Sequence, residues 1–134
     1  LKFGPHGTYR VTRKGNIIEV IAIDEWNDVT ANQLFSEVNI LRKEITTSTW
    51  ATLIDVKDWV LGTPDMQQLT MNGTKIMHSK GMLKEAFVTG LNEGSLTMAQ
   101  LHAMTPTLDG YERKFFKSHL EAIAWLLDEG YTLS

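Results

Sequence analysis

The chain has 134 residues, a net charge of −3, 43% hydrophobic and 22% charged residues, ordinary values for one globular domain and far from disorder. It contains no cysteine, which excludes disulfides, thiolate metal sites and cysteine nucleophiles and fits a reducing, cytoplasmic setting. The acidic balance without a Lys/Arg-rich run argues against nucleic acid, no stretch approaches the ~20 apolar residues of a membrane span, and no secretory signal is visible.

Residues 9–13 alternate in polarity, Lys14-Gly15-Asn16 supplies a tight turn, and residues 17–23 are strongly β-prone; together they predict a hairpin preceded by an N-terminal extension, residues 1–8. Residues 30–45 carry Ala31, Leu34, Phe35, Val38, Leu41 and Ile45 at helical spacing, with Thr30 and Gln33 as a capping box. Residues 50–56 form a short apolar run, a buried strand, and residues 57–64 read as a loop. Thr63-Pro64-Asp65 then opens a second helix with a hydroxyl cap, proline at the first helical position and a carboxylate at the positive helix end. Gly73 lies on its inner stripe; it implies either close approach to the sheet or a break at Asn72-Gly73, and Gly81 ends the helix.

Residues 85–89 predict another buried strand around Phe87 and Val88, residues 95–104 a shorter helix stopped before Pro106, and residues 112–116 a last strand. Arg113, Lys114 and Lys117, flanked by Glu112 and Glu121, read as a solvated strand end. Ser118 and Glu121 cap a final helix whose buried face is Leu120, Ile123, Ala124 and Leu127, closed by Gly130.

The order β-β-α-β-α-β-α-β-α describes one α/β domain over residues 1–134. Its single mixed, mostly parallel five-stranded sheet carries about four helices, and only the first strand is antiparallel. Right-handed crossovers between strands in sequential order place every helix on the same face. Yet Ile17, Ile18, Val20, Ile21 and Ile23 are apolar on both faces, as are Leu53, Ile54 and Val56. The second face must be covered by the N-terminal segment, a helix that crosses over, or another subunit.

Certain short words stand out along the chain, which has no internal repeat: His6-Gly7, Gly15-Asn16, Trp26-Asn27, Trp50-Ala51 with Asp55, Trp59 with Leu61-Gly62-Thr63-Pro64, and Phe115-Phe116 with Ala124-Trp125-Leu126. In these words and in layout the chain resembles the STAS/SpoIIAA-like superfamily, with its CRAL-TRIO lipid-binding relatives. It is most similar to small stand-alone bacterial proteins of unassigned function, some of them carried on integron gene cassettes. The resemblance implies a SpoIIAA-like fold and a regulatory or binding role. Anti-anti-sigma members carry a phosphorylatable serine at the helix following the central strand; here that junction holds Asp55, Asp58 and Leu61-Gly62-Thr63-Pro64, with no serine. Thr63 is the candidate phosphoacceptor that remains, its competing reading being a plain helix cap.

Other residues carry a functional and an ordinary reading side by side. Asp24, Glu25, Asp55 and Asp58 sit where ligands collect, outside the carboxyl ends of parallel strands; an enzyme would use Asp55 or Asp58 as acid or base, but no nucleophile or metal partner accompanies them. His6, His78, His102 and His119 share no metal-ligand spacing. Trp26 and Trp59 follow successive strands and either wall an apolar pocket or pin two turns. All six methionines fall between Met66 and Met104, as core filling or, with Met71, Met82 or Met98 outward, as an apolar patch. These features point to a non-catalytic protein-interaction or regulatory module that needs no cofactor or metal and binds a protein partner or itself as a homodimer. The alternative is a carrier of a small apolar ligand in a Trp/Met-lined pocket. Trp26, Asp55, Trp59, Thr63 and Met66 are the candidate ligand or partner site.

Overall fold

The computed structural model describes residues 4–60, 64–90 and 96–134. Among them the hairpin β1 (Thr8–Lys14) and β2 (Ile17–Glu25) is followed by α1 (Asp28–Arg42), β3 (Trp50–Val60), α2 (Pro64–Ser79), β4 (Met82–Val88), α3 (Leu96–Ala103), β5 (Glu112–Phe116) and α4 (His119–Asp128). The strands form one sheet in the order β1-β2-β3-β4-β5. β1 is antiparallel to β2 and every later pair is parallel, the mixed sheet that the element order implies. No helix among the described residues is long and apolar enough to cross a membrane.

Side-chain alternation splits the core into two layers. Ile18, Val20, Trp50, Val56 and Phe87 face α1, α2 and α3. Ile17, Ala51, Leu53, Ala86 and Val88 face α4 and Tyr131. Helices joining sequential parallel strands must share a face, whereas α4 follows the last strand and is free to fold onto the other side. It does so through Ala122 and Leu126 against the small residues Ala51 and Ala86. The expected stripe is therefore rotated: Leu120 is 80% exposed and Leu127 is exposed as well, because a helix this short buries the i, i+4 pair that meets the flat, alanine-rich part of the sheet. The C-terminal segment completes the cover. Thr132 exchanges hydrogen bonds with Asn16, its carbonyl accepting from the Asn16 N–H at 3.1 Å and its N–H donating to Asn16 Oδ1 at 2.8 Å. Gly15 takes φ +58° there, and a Cβ would overlap the Thr132 carbonyl.

Several boundaries shift for identifiable reasons. The cap of α1 is Asn27, whose Oδ1 accepts from the Thr30 N–H at 3.1 Å. The Thr30 hydroxyl instead donates to the His6 carbonyl at 2.6 Å. The Asn27 side chain also holds the Gly4 carbonyl and the His6 N–H, so the N-terminal stretch lies over the start of α1. β3 continues into the segment expected to be a loop, as far as Val60, because after a register shift between Ile21 and Ile23 the ladder with β2 resumes up to Glu25 and Val60. Helix α2 passes through Gly73 unbroken. The close approach there is to α1, since a Cβ at Gly73 would overlap the Phe35 ring.

Candidate functional site

Between the sheet and helices α1, α2 and α3 lies a cavity of about 70 Å³. A buried water needs roughly 10–15 Å³, and an apolar cavity of about 150 Å³ takes benzene, so this space is several waters in size. Its walls are almost wholly apolar. Val20, Ala22, Ile54 and Val56 supply the floor from β2 and β3, and Leu34 and Val38 the roof from α1. Met66, Met77, Met82 and Met104 add four thioether side chains, whose three rotatable bonds let such a wall reshape around a guest.

Two tryptophans meet at one side. The register shift at the end of β2 and the left-handed Asp24 (φ +64°) turn the chain so that Trp26 folds back over the sheet. Its indole N–H is shared between the carbonyls of Thr8 and Ile23, each at 3.1 Å. Trp59, brought to the same place by the extended β3, packs edge-on against Trp26 with ring centroids 5.7 Å apart. Trp59 is only 6% exposed, and its Nε1 has no hydrogen-bond acceptor among the described residues. Trp50, equally buried, donates to the Lys80 carbonyl at 2.9 Å.

Glu85 of β4 and Arg113 of β5 line another part of the cavity. Their side chains are 5% and 3% exposed and form an ion pair at 2.9 Å. Glu85 also accepts from the Thr52 hydroxyl at 3.0 Å and from the Tyr111 hydroxyl. Arg113 donates to the Tyr111 hydroxyl at 2.9 Å and to Thr105 Oγ1 at 3.3 Å, and its guanidinium lies 4.6 Å over the Phe87 ring. Burial, reinforced by the neighbouring Glu85 carboxylate, holds the Tyr111 phenol well above its ordinary value. For Arg113 burial acts to lower the value, but Glu85 and Tyr111 outweigh it and the net shift is upward. The guanidinium stays charged and the phenol neutral. Arg113 is thus no part of a solvated strand end. The available signal was parity: Glu85 and Phe87, like Arg113 and Phe115, are two residues apart and share the helix-covered face.

The structure brings Trp26, Trp59 and Met66 together along this one cavity. Asp55 is elsewhere. It alternates with Leu53 on the face that α4 covers, and it holds the Lys57 N–H at 3.0 Å and the Lys57 ammonium at 3.5 Å. Thr63, with its cap or phosphoacceptor reading, lies outside the described residues. Asp24, Glu25 and Asp58 are exposed. Among the described residues no group of three or more His, Asp or Glu side chains gathers as a metal site would require. Met82 and Met98 are buried and Met71 is half-buried, so the outward methionine patch does not form; β4 and α3 turn Met82 and Met98 into the core.

No family model matches the chain, and no curated protein matches it. Among solved structures it is similar to an uncharacterized protein from the DUF3478 family with a SpoIIAA-like fold, from Shewanella loihica PV-4. The TM-score is 0.67 at 14% identity, over 93% of this chain and 98% of that one. The chain therefore has the SpoIIAA-like fold.

Proposed function

We propose that this SpoIIAA-like domain is a non-catalytic carrier or receptor for a small, largely apolar molecule held between its sheet and its helices. The observation that carries this reading is the cavity of about 70 Å³ walled by Trp26, Trp59 and four methionines. Native interiors pack with few voids larger than a water, and apolar pockets with a few fixed polar groups are the usual form of small-molecule sites. Binding rather than chemistry is supported by where the acids sit: Asp55 is tied to Lys57 on the opposite face and Asp24, Glu25 and Asp58 are exposed.

Trp26 and Trp59 sit in the cavity wall, so titration of the purified chain with small cyclic hydrocarbons and ketones should change tryptophan emission and saturate. Emission unchanged across the panel would remove the carrier reading.

The second reading is an interaction module, and one observation favours it. Helix α4 packs on β3, β4 and β5, leaving Ile21 of β2 43% exposed, with Val60 at the end of β3 also exposed. Self-association through that open part of the sheet would appear as a dimer in light scattering that Ile21→Lys abolishes. A monomer at all concentrations removes the homodimer.

A further inference from the structure

The hydrogen-bond donors around the cavity can be accounted for one by one. The Thr52 hydroxyl donates to Glu85, Thr70 to the Met66 carbonyl and Thr74 to the Thr70 carbonyl. Arg113 donates to Glu85, Tyr111 and Thr105, and the Trp26 indole to two backbone carbonyls. The exception in this set is Trp59, a buried indole N–H without an acceptor among the described residues. Buried polar atoms in native structures nearly always have a partner, and one that lacks it calls for an explanation. Tryptophan offers only a donor at this atom, so whatever satisfies it must bring an acceptor.

Charge narrows the chemistry further. The formal charges on the wall, Glu85 and Arg113, are 2.9 Å apart and oppose each other. An ionised guest would have no countercharge of its own and would lose its hydration on entering an apolar space. Resting on the carrier reading above, we infer that the ligand is a small uncharged molecule with an apolar body and one acceptor oxygen, a carbonyl or ether, that takes its hydrogen bond from Trp59 Nε1. The methionines conform to the body, and Trp59 selects the functional group.

Two nearly isosteric probes test this on the intact chain: cyclopentanone, and methylenecyclopentane, in which a =CH2 group replaces the oxygen. Each is titrated against nitrogen-15-labelled protein, following the indole N–H resonances, with Trp59 assigned from Trp59→Phe. The expected result is that the ketone binds roughly fivefold to tenfold more tightly than the alkene, the margin of one hydrogen bond to an otherwise unpaired buried donor. The Trp59 indole proton moves downfield with the ketone only, and Trp59→Phe removes the preference while still binding both probes. Equal affinities with an unmoved Trp59 resonance would overturn the assignment and leave the apolar carrier intact. Binding of neither probe would overturn the carrier reading as well. The ratio of the two affinities in the unaltered protein decides the matter even if Trp59→Phe fails to fold and its resonance goes unassigned: a ratio near one overturns the assignment.

Discussion

The buried ion pair gives the sharpest test of the structure. Glu85→Gln keeps the shape of the side chain but only one acceptor oxygen, so it cannot accept from both Thr52 and Tyr111, and it leaves the Arg113 guanidinium charged and 3% exposed without its counterion. Removing one partner of such a pair costs about 3–5 kcal/mol, because the remaining charge stays desolvated. Against a total of about 5–15 kcal/mol for a domain, that is at least about a fifth of the stability, and for this size it lowers Tm by about 10–15 °C. Arg113→Met should cost less, since a carboxyl can be neutralised by a proton whereas a guanidinium cannot. Replacing both, Glu85→Gln with Arg113→Met, should be better tolerated than Glu85→Gln alone. Urea unfolding followed by circular dichroism measures all three. Glu85→Gln within about 1 kcal/mol of the parent would refute the reasoning, because a loss that small is expected only of an exposed pair.

Three further outcomes follow from the packing. Leu126→Ala should cost about 2–5 kcal/mol as a fully buried leucine while Leu120→Ala stays within about 0.5 kcal/mol, and denaturant melts that give the reverse order would show that α4 sits on its other stripe. Gly73→Ala should destabilise by about 1–3 kcal/mol despite the better helix former, because its methyl overlaps Phe35; thermal melts should show much of that loss recovered with Phe35→Leu. The Tyr9 phenol is pushed up to about 12 by burial and by Glu37, and Tyr111 and Tyr131 are raised as well. The unfolded chain therefore releases these protons first as pH rises. Their contribution is complete below pH 10 and is lost above it, at up to about 1.4 kcal/mol per pH unit for the buried Tyr111 and less for Tyr9 and Tyr131, which solvent screens. Phenolate absorbance that rises at pH 10 before unfolding begins would contradict this.

Much of the architecture was legible in the chain because it rests on local rules. Glycine at position 15 sets the hairpin, Pro64 and Asp65 stand in the first turn of α2, and Ser118 caps α4, its Oγ accepting from Glu121 N–H at 3.2 Å. Alternating strand and helix patterns dictated a parallel sheet. The site was half legible: Trp26, Trp59 and Met66 stood out as residues after or beside strand ends. Asp55 stood out for the same reason, yet it shares the α4-covered face with Leu53, and Trp59, four residues on, reaches the other face only because three residues of β3 stand against two of β2 at the register shift.

What sequence by itself determined, then, was the element order, the sheet directions and the need to cover two apolar faces. These depend on short-range periodicity and on chain connectivity. Only the tertiary structure decided that α4 and Tyr131 cover the second face, that Arg113 is buried on Glu85, and that the Trp59 indole, beside a cavity, finds no acceptor among the described residues. Each of those depends on residues far apart in the chain competing for the same space and the same hydrogen bonds, and no local pattern records who wins that competition.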